Sequence, residues 1–340
     1  MTVGLPCLFV AAALAAAPRV MPAQDTTAAP PDTSSPGRSG HFHIGLTVHD
    51  YGISLGNAPR VTGIRINVQD AGLERVNGIN VTLWKPRDPI TGTINGIQVG
   101  IAPGSEAVNG IAVGVAGVVT ERRARWVTVG GLGAVANGSI EGIAIGGLGT
   151  VANRDIRGIA VAGLGTVANR SITGIAIAGL GTVANRDVVG LAAAGLGTVA
   201  NRNITGVGVA GLGLVANGAL RGIGIGGLGT VANGSISGVG IGGLAVVTNG
   251  RLTGLGVAGL AVVADEGVRG MAIAGYSVDT RSFTGLSVSP YNRVRGLQRG
   301  LAIGLYNSAY ELHGIQIGVI NRAKNNRAPF KTLPILNVHL

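Results

Sequence analysis

Five histidines, 15 carboxylate side chains and one cysteine are the whole stock from which this 340-residue chain could build a catalytic or metal centre. His41, His43 and His49 fall close to Asp50. Imidazoles beside a carboxylate are a donor set that zinc and similar ions accept. The plainer reading of the same residues is a polar strand leading into the body of the chain. That reading is preferred, so neither a metal nor a cofactor is expected. His313 and His339 lie near the other end, and the residues between offer only scattered acids, so no Ser/His/Asp set for acyl transfer is suggested. Cys7 is the sole thiol and sits in the N-terminal segment that reads as an export signal, which excludes a disulfide framework or a two-cysteine redox motif. Glycine-rich matches to G-x-G-x-x-G occur throughout, but the strand-then-helix context that gives them meaning is missing. Aspartate occurs in the regular part of the chain only at Asp155, Asp187 and Asp265, whereas a calcium-binding roll needs it in every coil. The expectation is a protein that is not an enzyme.

Charge offers binding chemistry instead. The formal net charge is +11, and Arg154, Arg170, Arg186 and Arg202 recur at one fixed spacing. A row of guanidinium groups could dock acidic glycans, lipid head groups or other envelope proteins. Solvated turn charges that block lateral association give the same pattern and are the preferred reading. Nucleic acid is not expected, because no aromatics interleave with the arginines and only 3% of residues are aromatic. Thr150, Thr166, Thr182, Thr198 and Thr230 recur with Ala152, Ala168, Ala184, Ala200 and Ala232. If those rows faced outward, a flat Thr/Ala surface suited to ice binding would result, a minor alternative.

The elements that must carry these rows follow from a repeat. Glycine is 61 of 340 residues and charged residues are 12%, so neither an ordinary enzyme core nor a disordered chain fits. From Gly131 to Ala274 the sequence repeats every 16 residues, as in GLGTVANRDIRGIAVA followed by GLGTVANRSITGIAIA. A fixed period of this kind means stacked units. Five aliphatic columns begin at Leu132, Val135, Ile140, Ile143 and Ile145, and two glycine columns begin at Gly131 and Gly142. An amide column runs Asn137, Asn153, Asn169, Asn185, Asn201, Asn217, Asn233 and Asn249.

Glycine at this density opposes helix, and the aliphatics are mostly β-branched. Short strands separated by bends fit, which predicts an all-β fold: a β-solenoid of about 18 coils between His43 and Ala323. All five aliphatic columns are expected to point inward, and the asparagines to stack as a side-chain ladder at a turn. The alternative is an up-and-down outer-membrane β-barrel. GIAVAGLGTVA is long enough to cross a bilayer as a strand, and the ending LPILNVHL looks like an outer-membrane assembly signal. Against it, neither face of that stretch is polar and the regular repeats lack aromatic girdles. A helical membrane protein is rejected, because the uncharged stretch Gly222–Gly250 keeps the 16-residue register and is rich in glycine.

The flanks complete the organisation. Residues 1–23 read as an export signal, with an apolar run from Leu8 to Ala17 and a cut after Ala23. Leu5-Pro6-Cys7 precedes that run rather than following it, so a lipid anchor is not expected. Residues 24–40 have linker composition, 41–130 are irregular repeats, 131–274 the regular array, and 275–340 divergent repeats with a cap. Export to the bacterial surface or outer membrane is the expected location. Neither a ligand nor an oligomeric state can be read from these patterns.

The late units GLAIGLYNSA (Gly300–Ala309) and GIQIGVINRA (Gly314–Ala323) resemble a bacterial surface-repeat family. Its units run Gly-aliphatic-x-aliphatic-Gly-aliphatic-x-Asn and close on a Pro-Leu-aliphatic-Asn tail, here LPILNVHL. The central units depart from it, with GLGTVAN and a 16-residue period. The resemblance implies an exported, envelope-associated protein of unsettled function and brings no catalytic residues.

Overall fold

The computed structural model describes residues 43–86 and 89–339, so the expected signal and linker, and His41, lie outside the described residues. The described residues, from His43 onward, belong to one unit. Every named element is a β-strand, and the chain winds as a β-solenoid of about 16 turns. Each regular coil supplies a seven-residue strand and a four-residue strand, for instance Ile156–Ala162 and Gly165–Ala168. Each strand pairs in parallel with its equivalent one coil before and one coil after. Ile156 lies beside Ile140 and Ile172, and Thr166 beside Thr150 and Thr182. An up-and-down barrel needs antiparallel neighbours along the sequence, so the barrel alternative does not hold.

Outside the regular array one long strand does the work of two. Tyr291–Ile303 pairs both with Ser277–Thr280 and with Phe283–Val288. At the N-terminal end His43–Val48 folds back antiparallel on Tyr51–Gly56, and at the C-terminal end Thr332–His339 does so on Tyr306–Ala323. These outermost units do not each close a full coil, which brings the expected 18 down. Among the described residues no helix is long and apolar enough to cross a membrane, and Gly222–Gly250 lies in short strands.

The orientation of the side chains corrects the sequence reading. Only the Ile140 column of the five aliphatic columns points inward: Ile156, Ile172 and Ile204 are completely buried. The Leu132, Val135, Ile143 and Ile145 columns point outward, with Leu148 50% and Ile159 37% exposed. The interior is filled by Thr150, Ala152, Ala160 and Ala162 and their equivalents. The Thr/Ala rows therefore lie inside, and the outer surface on which ice binding rested is not formed.

The physical reason is the width of the coil. A strand of four residues has two inward positions, and its neighbours turn within two or three residues. The opposing walls cannot separate far enough to hold large side chains from both. They approach so closely that the Thr150 hydroxyl donates to the backbone carbonyl of Val161 across the interior at 3.1 Å, and Thr198 does the same to Val209. Volume is traded across the gap. Coils with Thr150, Thr166 and Thr182 carry Ala160, Ala176 and Ala192, whereas Leu214 sits between Gly208 and Gly224. Such jigsaw compensation is what close-packed interiors require.

The longer strand bends at one glycine. Gly158 has φ +123°, and a Cβ there would meet the carbonyl oxygen of Gly142. The same column runs from Gly52 to Gly314 through 17 glycines with positive φ and one exception, Trp126, at φ 77°.

Candidate functional site

Two outward columns dominate the surface. One starts at Ile53 and ends at Ile315, and the other starts at Leu55 and ends at Ile317. The pairing registers carry both through every coil between. The same registers continue to the last coil. Each column has 18 positions, and all 36 residues are aliphatic; the smallest is Ala193 and the only sulfur belongs to Met271. Their position follows from the two-residue period of the strand. Ala160 and Ala162 face inward, so Ile159 and Val161 must face out. Exposure reaches 38% at Ile175 and 44% at Ile177, while others such as Val161, Val209 and Ile241 are half-buried.

Beyond the glycine column lies a polar row. It contains Asn77, Asn95 and Asn109, whose amides bond in sequence at 2.8 and 2.9 Å, and then Arg125, Glu141 and Arg157. Glu141 accepts from Arg125 at 2.9 Å and lies 3.6 Å from Arg157. The row continues through Thr173, Val189 and Thr205 to Arg221, Arg269 and Arg299, so the apolar face is bordered on this side by amides, hydroxyls and arginines.

The predicted asparagine ladder forms at the opposite turn. The Asn153 amide donates to Asn137, and the relay continues through Asn169, Asn185, Asn201 and Asn217 to Asn233 at 3.0–3.2 Å. Asn249 holds the next place, its backbone N–H donating to Ala232. Arg154, Arg170, Arg186 and Arg202 stack beside this ladder, each backbone N–H after the first donating to the preceding arginine carbonyl. Their side chains are exposed, and Arg202 lies 3.7 Å from Asp187. Asp155 and Asp187 each use one carboxylate oxygen to accept a backbone N–H from the next coil, at Ser171 and Asn203. They tie one coil to the next. Further along this side, the hydrogen bond and then the charge of Asp279, with Asp265 adding to them, hold the Arg295 guanidinium above its ordinary pKa.

The histidine-rich segment has a structural task. His49 and Asp50 are the two-residue turn between the terminal antiparallel strands, both with positive φ (52° and 67°), as a type I′ hairpin demands. Among the described residues no group of three or more His, Cys, Asp or Glu could hold a metal ion.

Sequence reasoning missed the buried polar groups at the two ends. The inward column that holds alanine in the centre reads Gln98, Asn80, Arg65 and Ser54 toward the N-terminus, all fully buried. Arg65 pairs with Asp70 and donates to the Ala58 carbonyl at 3.1 Å and to Asn80 at 3.0 Å. Near the C-terminus Asn292, Asn307 and Asn321 form an internal amide relay at 2.7 Å per step. The alternation of polar and aliphatic residues in RINV and NVTL is the signal that could have found them. Surface depressions of about 640 and 890 Å³ lie over these ends, one lined by Asn57, Asn67 and Asp70, the other by Tyr306, Tyr310 and Lys324.

No protein-family model, curated protein or solved structure matches the chain.

Proposed function

We propose that this chain is an exported, non-enzymatic repeat protein of the bacterial envelope, acting as a rigid scaffold that presents a contact surface. The observation that carries the reading is the outer apolar face, 36 aliphatic residues in two unbroken columns without a charge among them. An isolated soluble rod gains nothing from exposing it, since monomeric proteins keep contiguous apolar patches to roughly 300–600 Å². Rigidity comes from the ladders: regular coils are tied to their neighbours by two parallel strand pairings, and those from Asn137 to Asn233 by an amide relay as well. Export is supported by the signal-like residues 1–23 and by the resemblance of the late units to surface repeats.

Fractionation of cells expressing the full chain tests the proposal. Wild type is expected in the envelope fraction. Wild type found wholly in the cytoplasm would count against the reading.

A further inference from the structure

We infer that the outer apolar face is the interface between two copies of this chain, packed sheet against sheet. The inference rests on the contact-surface reading and names the partner. Eighteen rungs span seventeen spacings, so at about 4.8 Å each the face is about 80 Å long. Two ladders about 7 Å apart with their side-chain breadth make it about 15 Å wide, or roughly 1,200 Å² per copy. Two copies pressed together bury roughly 2,400 Å² in total, more than the 1,200–2,000 Å² typical of a stable specific complex.

The relief of the face selects a copy of itself. Ile159 and Val161 with their equivalents stand as parallel ridges. A furrow lies on either side: the bent glycine column at Gly158, and the exposed corner glycines at Gly163. The ridges run along the whole rod; the glycine furrow is interrupted by Trp126, 71% exposed, and the corner furrow runs from Gly131 to Gly275. A second copy has the same spacing, so its ridges can enter these furrows at every rung of the regular array, as in the dry interfaces of paired sheets. The rim fits as well: amides and the Arg125–Glu141–Arg157 pairs border the apolar centre, the usual arrangement of a protein interface. A lipid surface fits less well. A fluid layer makes no use of a fixed corrugation. An added β-strand is excluded on this face, because the backbone groups are already paired within the sheet.

Sedimentation of the purified full-length chain tests the inference. Wild type is expected to be a dimer. Ile175→Lys with Ile177→Lys places two unpaired charges per copy in the centre of the interface and should raise the dissociation constant more than about 100-fold. The same side chains are half-exposed in one copy, so far-UV circular dichroism should not change. A second variant avoids dependence on the lysines. Ala193→Cys in a Cys7→Ser background lies at the midpoint of the face, within about one rung of its own mate when the rods run antiparallel, and should give a disulfide-linked dimer on mild oxidation. A monomeric wild type, or a dimer that is indifferent to the lysines and forms no disulfide through Ala193→Cys, overturns the inference. A monomer that floats with phosphatidylglycerol–phosphatidylcholine vesicles until the lysines are introduced also overturns it, while leaving the contact-surface reading in place. A dimer that fractionates with the cytoplasm does the reverse.

Discussion

Replacing Gly208 by alanine should destabilise the wild-type chain and stabilise a chain carrying Leu214→Thr. Leu214 interrupts a column of threonines, with Thr198 before it and Thr230 after. A methyl group on Gly208 would stand 2.8 and 3.2 Å from the two Leu214 δ carbons, and 3.4 Å from Ile204 Cγ2. Ordinary van der Waals contact begins near the last of these values, so the substitution overpacks the interior and should cost about 1–3 kcal/mol. Leu214→Thr alone leaves a cavity and should cost about 2–4 kcal/mol. In the double variant the new methyl enters that cavity, as Ala192 does beside Thr198. Gly208→Ala then contributes about 0.5–1 kcal/mol through the loss of a strand glycine. The coupling is therefore about 2–3 kcal/mol. Urea unfolding of the four proteins, followed by circular dichroism, measures it as a double-mutant cycle. A repeat array can unfold in steps, so midpoints of the same transition are compared. Additivity within about 0.5 kcal/mol would mean that positions 208 and 214 do not face each other, and the inward assignment of both columns would fail.

Two further expectations concern the backbone and the buried charge. Trp126 is the one non-glycine in a column of positive φ, so Trp126→Gly should raise stability by about 1 kcal/mol, whereas Gly158→Ala should lower it by on the order of 3 kcal/mol. Thermal melts that ranked these two the other way would contradict the strained-column argument. Arg65→Met leaves Asp70 buried without its cation and should cost about 3–5 kcal/mol, most of it recovered by adding Asp70→Asn. Equal losses in the single and double variants, read by chemical unfolding, would show that the pair is not what holds this end together.

The period, the strand class and the lateral register were legible because they depend only on which residues recur. Sixteen-residue spacing with glycine and β-branched residues admits stacked short strands and little else, and the asparagine ladder follows from the same register. Which face of each strand lies inside was not legible from side-chain size. Ile159-Ala160-Val161-Ala162 alternates strictly, and hydrophobicity favours burying the isoleucine and valine. The narrowness of the coil decides otherwise, because both walls must approach to the distance at which Thr150 reaches the Val161 carbonyl. One trace of this was in the sequence: glycine replaces alanine at 208 and 224 on both sides of Leu214, the exchange expected of facing inward positions. The apolar face was hidden by the same inversion, since columns assigned to the core cannot also be a surface. At the histidine-rich segment, the His49-Asp50 turn was likewise missed, because a two-residue hairpin is recognised by its flanking strands and those are short.

Thiol labelling of the native protein tests the inside-out arrangement most directly. Leu180 and Thr182 are two residues apart, one 46% exposed at a corner and the other fully buried. In a Cys7→Ser background, Leu180→Cys should react with a maleimide at the rate of a free thiol, and Thr182→Cys should react only after unfolding. A fast reaction at 182 together with protection at 180 would place the large aliphatic columns inside and contradict the account.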